Sequence, residues 1–191
     1  MSSAARLRRA YFDCRYGQLH VHQAIPPGGG FDEATPVLCI PGQRGTGRFF
    51  GPLLEALCAD RSIYAPDLPG CGESDSPGAD AGPEQYALAL TDLLDSLRQR
   101  QIDVLAHAAG VETAIAIEKL RPQALVRRLV LSAATPAALE SVRALNMTFR
   151  DLPLVGVPTE VLQVGPGSAQ LAELIEFFGS GTHLRERNSQ F

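Results

Sequence analysis

The chain has 191 residues, 45% of them hydrophobic and 20% charged, and its 17 basic and 21 acidic side chains leave a formal net charge of −4. That length supports one well-developed core and that composition is ordinary for a globular protein, so a single domain over residues 1–191 is expected. No long run of either charge sign occurs, which removes the electrostatic argument for nucleic acid or an anionic membrane as partner.

Along the chain, residues 1–9 carry basic side chains without an apolar core of signal-peptide length, and no stretch of 18 uncharged apolar residues follows. A cytoplasmic location is therefore expected. Cys14, Cys39, Cys58 and Cys71 form no C-x-x-C pair and read as buried free thiols of a reducing compartment. Residues 11–15 and 18–23 alternate apolar with polar around Tyr16-Gly17, the pattern of a hairpin half exposed to water. His20 and His22 fall on one face of its second strand, a spacing that can hold a metal; an exposed surface is the plainer reading, and no metal is expected.

Pro36-Val-Leu-Cys-Ile40 is a continuous apolar run, as in a strand buried on both faces. After a turn over 42–47, Phe49, Phe50, Leu53, Leu54 and Leu57 recur at helical spacing. Residues 62–65 predict a strand and 67–75 a loop. From Pro83 the pattern is helical: Tyr86, Leu90, Leu93, Leu94 and Leu97 share one stripe, with Asp92, Asp95, Arg98 and Arg100 off it. Further strands are predicted over 102–107, 126–133 and 159–164, and further helices over 111–120 and 136–149. Strands alternating with helices indicate an α/β protein, with a mostly parallel sheet flanked by helices on both faces.

The most informative stretch is Ile102-Asp103-Val104-Leu105-Ala106-His107-Ala108-Ala109-Gly110, an apolar run and a turn of small residues that lead into a helix. It is similar to the nucleophile elbow Gly-x-Ser-x-Gly, with Ala108 at the Ser position. A second match is Asp67-Leu68-Pro69-Gly70-Cys71-Gly72-Glu73-Ser74-Asp75, similar to an Asp-x-x-Gly-x-Gly-x-Ser-Asp loop. Its acidic residues read as turn and cap formers, without catalysis. With these motifs the chain resembles the α/β-hydrolase fold superfamily, in its esterase- and dehalogenase-like subgroup, from about residue 11 to residue 136 and less closely beyond.

The resemblance implies a set of roles. Pro41-Gly42 stands where the family has His-Gly, and the backbone amides of Gln43 and Ala109 would form the oxyanion hole, beside Gly42. Main-chain donors survive changes of side chain. Ala108, however, supplies no attacking atom. The family's catalytic acid falls at Gly165-Pro166-Gly167-Ser168, which holds none, and His183 in Gly179-Ser180-Gly181-Thr182-His183 is the candidate triad histidine, with an exposed loop position as its plainer reading. A Ser-to-Ala change at 108 would not account for Ala106 in place of glycine or for the missing acid.

Two functions follow as expectations. In the first, a degenerate triad leaves a non-hydrolytic protein that binds a small ligand or a protein partner, without a cofactor. In the second, His107 or His183 acts as general base in hydrolase- or lyase-type chemistry, with the amides of Gln43 and Ala109 stabilising an oxyanion. Cys71 and Ser132 are weaker nucleophile candidates near the sheet's carboxyl edge, and a pocket is expected around Phe49, Phe50, Leu139, Leu145 and Met147. The short segment before 159 implies a reduced lid, and the eight residues after His183 a shortened C-terminus, whose uncovered sheet face suggests a homodimer or protein partner.

Overall fold

The structure, a computed structural model, describes residues 6–26, 34–78, 81–121, 126–132 and 159–161. Among these, seven strands form one sheet: β1 (Arg6–Cys14), β2 (Gly17–Ile25), β3 (Val37–Ile40), β4 (Ile63–Pro66), β5 (Ile102–His107), β6 (Val126–Ser132) and β7 (Thr159–Val161). Their spatial order is β1-β2-β4-β3-β5-β6-β7. β1 pairs antiparallel with β2 and β2 antiparallel with β4, while every pairing from β4 to β7 is parallel. The sheet is thus mixed and mostly parallel, with its antiparallel part at one edge.

The helices are α1 (Gly51–Leu57), α2 (Pro83–Ser96) and α3 (Gly110–Leu120). Alternation along β3 shows how both faces are covered. Leu38 and Ile40 pack with Leu90, Leu93, Val111 and Ile117 of α2 and α3, whereas Val37 and Cys39 pack with Phe50, Leu53, Leu54 and Leu57 around α1. All four β3 side chains are fully buried, which is why the strand reads as an unbroken apolar run. α2 begins with Pro83 in its first turn, and the Gln85 side chain accepts a hydrogen bond from the Gly82 amide at 3.0 Å. At the opposite edge of the sheet from the elbow, fully buried Asp103 accepts hydrogen bonds from Arg127 Nε and Nη2, so its charge is paired.

Three expectations are corrected. The second hairpin strand is not a half-exposed one, because β4 pairs along its far side and the 67–75 loop covers its end; Leu19, His20 and Val21 are buried and His22 is half-buried. His20 and His22 therefore do not lie on an open surface. The apolar pattern at 49–57 is also split: Gly47–Phe50 is a 3₁₀ turn, and the α-helix starts at Gly51. Of the four thiols, all free, Cys39 and Cys58 are buried but Cys14 and Cys71 are half-buried. The expected helix over 136–149, most of the 159–164 strand and the C-terminal segment lie outside the described residues. No helix among the described residues is long and apolar enough to cross a membrane.

One buried acid gives the fold a pH dependence. Glu118 near the end of α3 is 8% exposed, and its Oε2 has no hydrogen-bond partner among the described residues. Burial pushes its pKa from 4.5 to about 7, against a smaller opposing effect of the Val126 amide. Between those two values the folded chain holds a proton that the unfolded chain has released, so stability falls as pH rises through this window and levels off above it. Glu118→Gln is neutral throughout, and its thermal unfolding temperature is expected to lose this decline and to exceed the parent's above the window. An identical pH profile in parent and variant would contradict the assignment.

Candidate functional site

The candidate site lies at the carboxyl edge of the parallel strands, where ligands bind in open α/β sheets. β5 ends at His107, and Ala108 turns the chain with φ 47°, a left-handed value that side-chain-bearing residues seldom adopt. Ala109 follows at φ −65° as the N-cap of α3, and Val111 and Glu112 donate back to the carbonyls of Ala108 and Ala109. The strained turn is held from beside: a Cβ on Gly110 would stand 2.6 Å from the carbonyl oxygens of both Ile40 and Pro41, so the helix start lies directly on the end of β3. Such strain persists only where neighbours enforce it. The methyl group of Ala108, the residue that the resemblance puts at the nucleophile position, thus occupies the tip of a preformed turn.

Gly42 completes the edge. A Cβ placed on it would lie 3.5 Å from the Ala108 methyl, 3.6 Å from the His107 carbonyl and 3.9 Å from the Ala109 nitrogen, so Gly42, His107, Ala108 and Ala109 are brought together. Gln43 and Arg44 are exposed in the tight turn beyond, where Gly45 N–H donates to Gly42 O at 2.8 Å and Arg44 takes φ 57°. The α3 N-terminus adds the positive end of a helix dipole to the same edge. Chemically, this arrangement offers donors and positive potential, and at the tip of the turn no nucleophile.

The His107 ring stands 4.4 Å from the ring of Phe49, which is 54% exposed; burial lowers the His107 pKa and favours the neutral imidazole. Phe50, expected beside the pocket, is instead 1% exposed in the core under α1. A cleft among the described residues, about 460 Å³, is lined by Gln43 and Arg44 from one turn, by Gly70, Cys71 and Ser76 from the loop after β4, and by Tyr86 from α2; it meets the elbow edge through Gln43, and Gly42, His107, Ala108 and Ala109 do not line it. Arg44, Ser76 and Tyr86 were not recognised as site residues in the sequence; Arg44 sits in a turn whose positive φ no residue type there announces. Cys71 does face the cleft, yet burial raises its pKa, with the nearby Arg44 opposing, and its thiol points to the Pro69 carbonyl at 4.0 Å. A thiol so held stays protonated and is a poor attacking group. Ser132 ends β6 opposite His107 in register. His183, Gly165 to Ser168, Leu139, Leu145 and Met147 lie outside the described residues.

The cleft loop is fastened by Asp67, 2% exposed at the end of β4. Its Oδ1 accepts from Gly47 N–H at 2.8 Å, its Oδ2 from Glu73 N–H at 3.0 Å, and Oδ2 also meets His20 Nδ1 at 2.9 Å. Ser74 donates to the Asp67 carbonyl and accepts from His20 N–H, and Asp75 accepts from Gln18 N–H. Both acids thus serve as turn and cap formers, as the sequence predicts, and they tie the loop to β2. The partnership of Asp67 with His20 was not legible: it depends on β4 lying beside β2.

A model of the alpha/beta hydrolase family matches residues 37–186. The uncharacterized protein Rv2715 of Mycobacterium tuberculosis is 38% identical over 89 residues, which cover 47% of this chain and 25% of that protein. Among solved structures, Cfl2 from Burkholderia cenocepacia is similar at a TM-score of 0.59 and 25% identity, over 77% of this chain and 53% of that one. The epoxide hydrolase VrEH1 from Vigna radiata is similar in fold at 0.59 and 20% identity, over 73% and 46%. The chain therefore spans about a quarter of that curated relative and about half of each of those structures. The match over residues 37–186, on a sheet and elbow of this geometry, means that the chain belongs to the alpha/beta hydrolase family.

Proposed function

We propose that this chain is a hydrolase-fold binding protein with a degenerate triad: it holds a small ligand at the carboxyl edge of the sheet, against the amides of Gln43 and Ala109, and does not cleave it by attack from the elbow. What carries this reading is Ala108, whose methyl stands at the tip of a turn with φ 47°. Uncharged amide donors and the α3 N-terminus favour a ligand with a carbonyl, carboxylate or other oxygen acceptor. The protonated Cys71 in the cleft supports the same view, since it offers no ready substitute nucleophile.

The test is turnover of two probes chosen for the fold, p-nitrophenyl acetate and styrene oxide. The expected result is hydrolysis at the buffer rate. Turnover above that rate, abolished in an Ala109→Pro variant shown folded by circular dichroism, would overturn the reading; Ala109 already has the φ of −65° that proline imposes, although the ring also crowds Ala108 at φ 47°.

A second reading keeps catalysis and gives it to a histidine. It is favoured by His107, which burial keeps neutral beside Ala108 and which the exposed Phe49 ring stacks upon. A neutral imidazole can accept a proton from a carbon or water acid, with the two amides stabilising the resulting oxyanion. Activity that persists in a His107→Ala, His183→Ala double variant would remove this reading.

A further inference from the structure

We propose that His20, His22 and Asp67 form a binding site for a divalent transition-metal ion of the zinc type, on the hairpin side of the loop that walls the cleft. His20 and His22 are two apart on β2 and so share one face of the sheet. Asp67 follows β4, the neighbour of β2, and its N–H donates to the His20 carbonyl at 2.9 Å, which sets its carboxylate over that face. One ligand atom from each of the three residues lies within 4.8 Å of the other two.

The spacings suit an ion. His20 Nδ1 stands 2.9 Å from Asp67 Oδ2, and His22 Nε2 stands 3.7 Å from Asp67 Oδ1. Around a tetrahedral ion with bonds of about 2.0–2.2 Å, neighbouring ligand atoms are about 3.3–3.5 Å apart. The two gaps run to different oxygens of the carboxylate and the three ligand atoms lie within 4.8 Å of one another, so side-chain shifts of up to about an ångström bring one oxygen and both imidazoles to these spacings. On binding through Nδ1, the His20 imidazole carries its proton on Nε2, and the metal takes the place of the hydrogen bond to Asp67.

The donor set then selects the ion. Two imidazoles and one carboxylate suit zinc, cobalt or nickel, and leave a position for water; magnesium and calcium prefer oxygen ligands throughout. The surrounding bonds are those that orient a ligating carboxylate: the Gly47 and Glu73 amides fix its two oxygens. Tyr11 covers His20 with ring centroids 5.2 Å apart, while the His22 side chain, 16% exposed against 5% for His20, gives the ion its entry. A bound ion would staple β2 to the loop that carries Gly70 and Cys71 into the cleft.

The experiment is titration of the untagged chain with cobalt chloride, read by visible absorption, beside His22→Gln and His107→Gln. His22 is too far from Asp67 for a hydrogen bond, so its replacement leaves the Asp67 network in place, and far-ultraviolet circular dichroism checks the fold. One equivalent of cobalt is expected to give the bands of a four- or five-coordinate ion in the parent and in His107→Gln, with binding at least tenfold weaker in His22→Gln. Equal binding by the parent and His22→Gln, or no saturable bands in the folded parent, would overturn the proposal.

Discussion

Asp67→Ala is expected to destabilise the chain by about 3–5 kcal/mol, the range for removing one partner from a buried charged network. The substitution strips the acceptor from the Gly47 amide and from His20, both buried, and from the amide of the more exposed Glu73. Lost bonds are only part of the effect; the orphaned donors are the larger part. A fall in melting temperature of roughly 6–20 °C follows for a domain of this size. Asp67→Asn keeps one carbonyl acceptor but turns an amide NH₂ toward donors, so an intermediate loss is expected. Thermal unfolding that leaves Asp67→Ala within 2 °C of the parent, on the order of 1 kcal/mol or less, would show that the loop does not depend on this carboxylate.

Gly110→Ala is the second large effect, and two opposing terms decide its sign. Alanine favours a helix over glycine by up to about 1 kcal/mol. Against that, the added methyl would stand 2.6 Å from two backbone carbonyl oxygens, those of Ile40 and Pro41, which no rotamer change can move aside. Overpacking of this sort costs about 1–3 kcal/mol or more, so a net loss of about 2 kcal/mol and a separation of α3 from β3 are expected. Gly51→Ala is the control: nothing lies within 4 Å of a Cβ there and the backbone is right-handed helical, so the same change is expected to be neutral or slightly stabilising. Chemical denaturation of both variants separates the two cases, and a Gly110→Ala curve that overlays that of Gly51→Ala would contradict the close contact at the elbow.

Some of this was legible because local pattern and tertiary position agree. The β3 run Val37-Leu-Cys-Ile40 is apolar throughout because helices cover both of its faces, and Gly110 marks the elbow because only a residue without a side chain fits against β3. The loop 67–75 was likewise readable, since its glycines at 70 and 72 take positive φ. What the sequence did not disclose is the strand order. Placing β4 between β2 and β3 buries His20 and brings Asp67 to it, a contact between residues 47 apart that no periodicity encodes. Phe50 misled for a local reason: both phenylalanines were expected around the pocket, but the 3₁₀ turn over Gly47–Phe50 leaves Phe50 in the core and only Phe49 exposed beside His107.

The proposed function rests on Ala108 at the tip of the elbow, where no side-chain atom can attack. Mass spectrometry of the intact chain after incubation with p-nitrophenyl acetate tests it most directly, with peptide mapping to place any acetyl group. The account predicts no early burst of p-nitrophenolate and no acetyl group on the elbow residues 107–109, on Cys71 or on Ser132. A burst stoichiometric with protein, with the acetyl group carried at one of those positions, would contradict it.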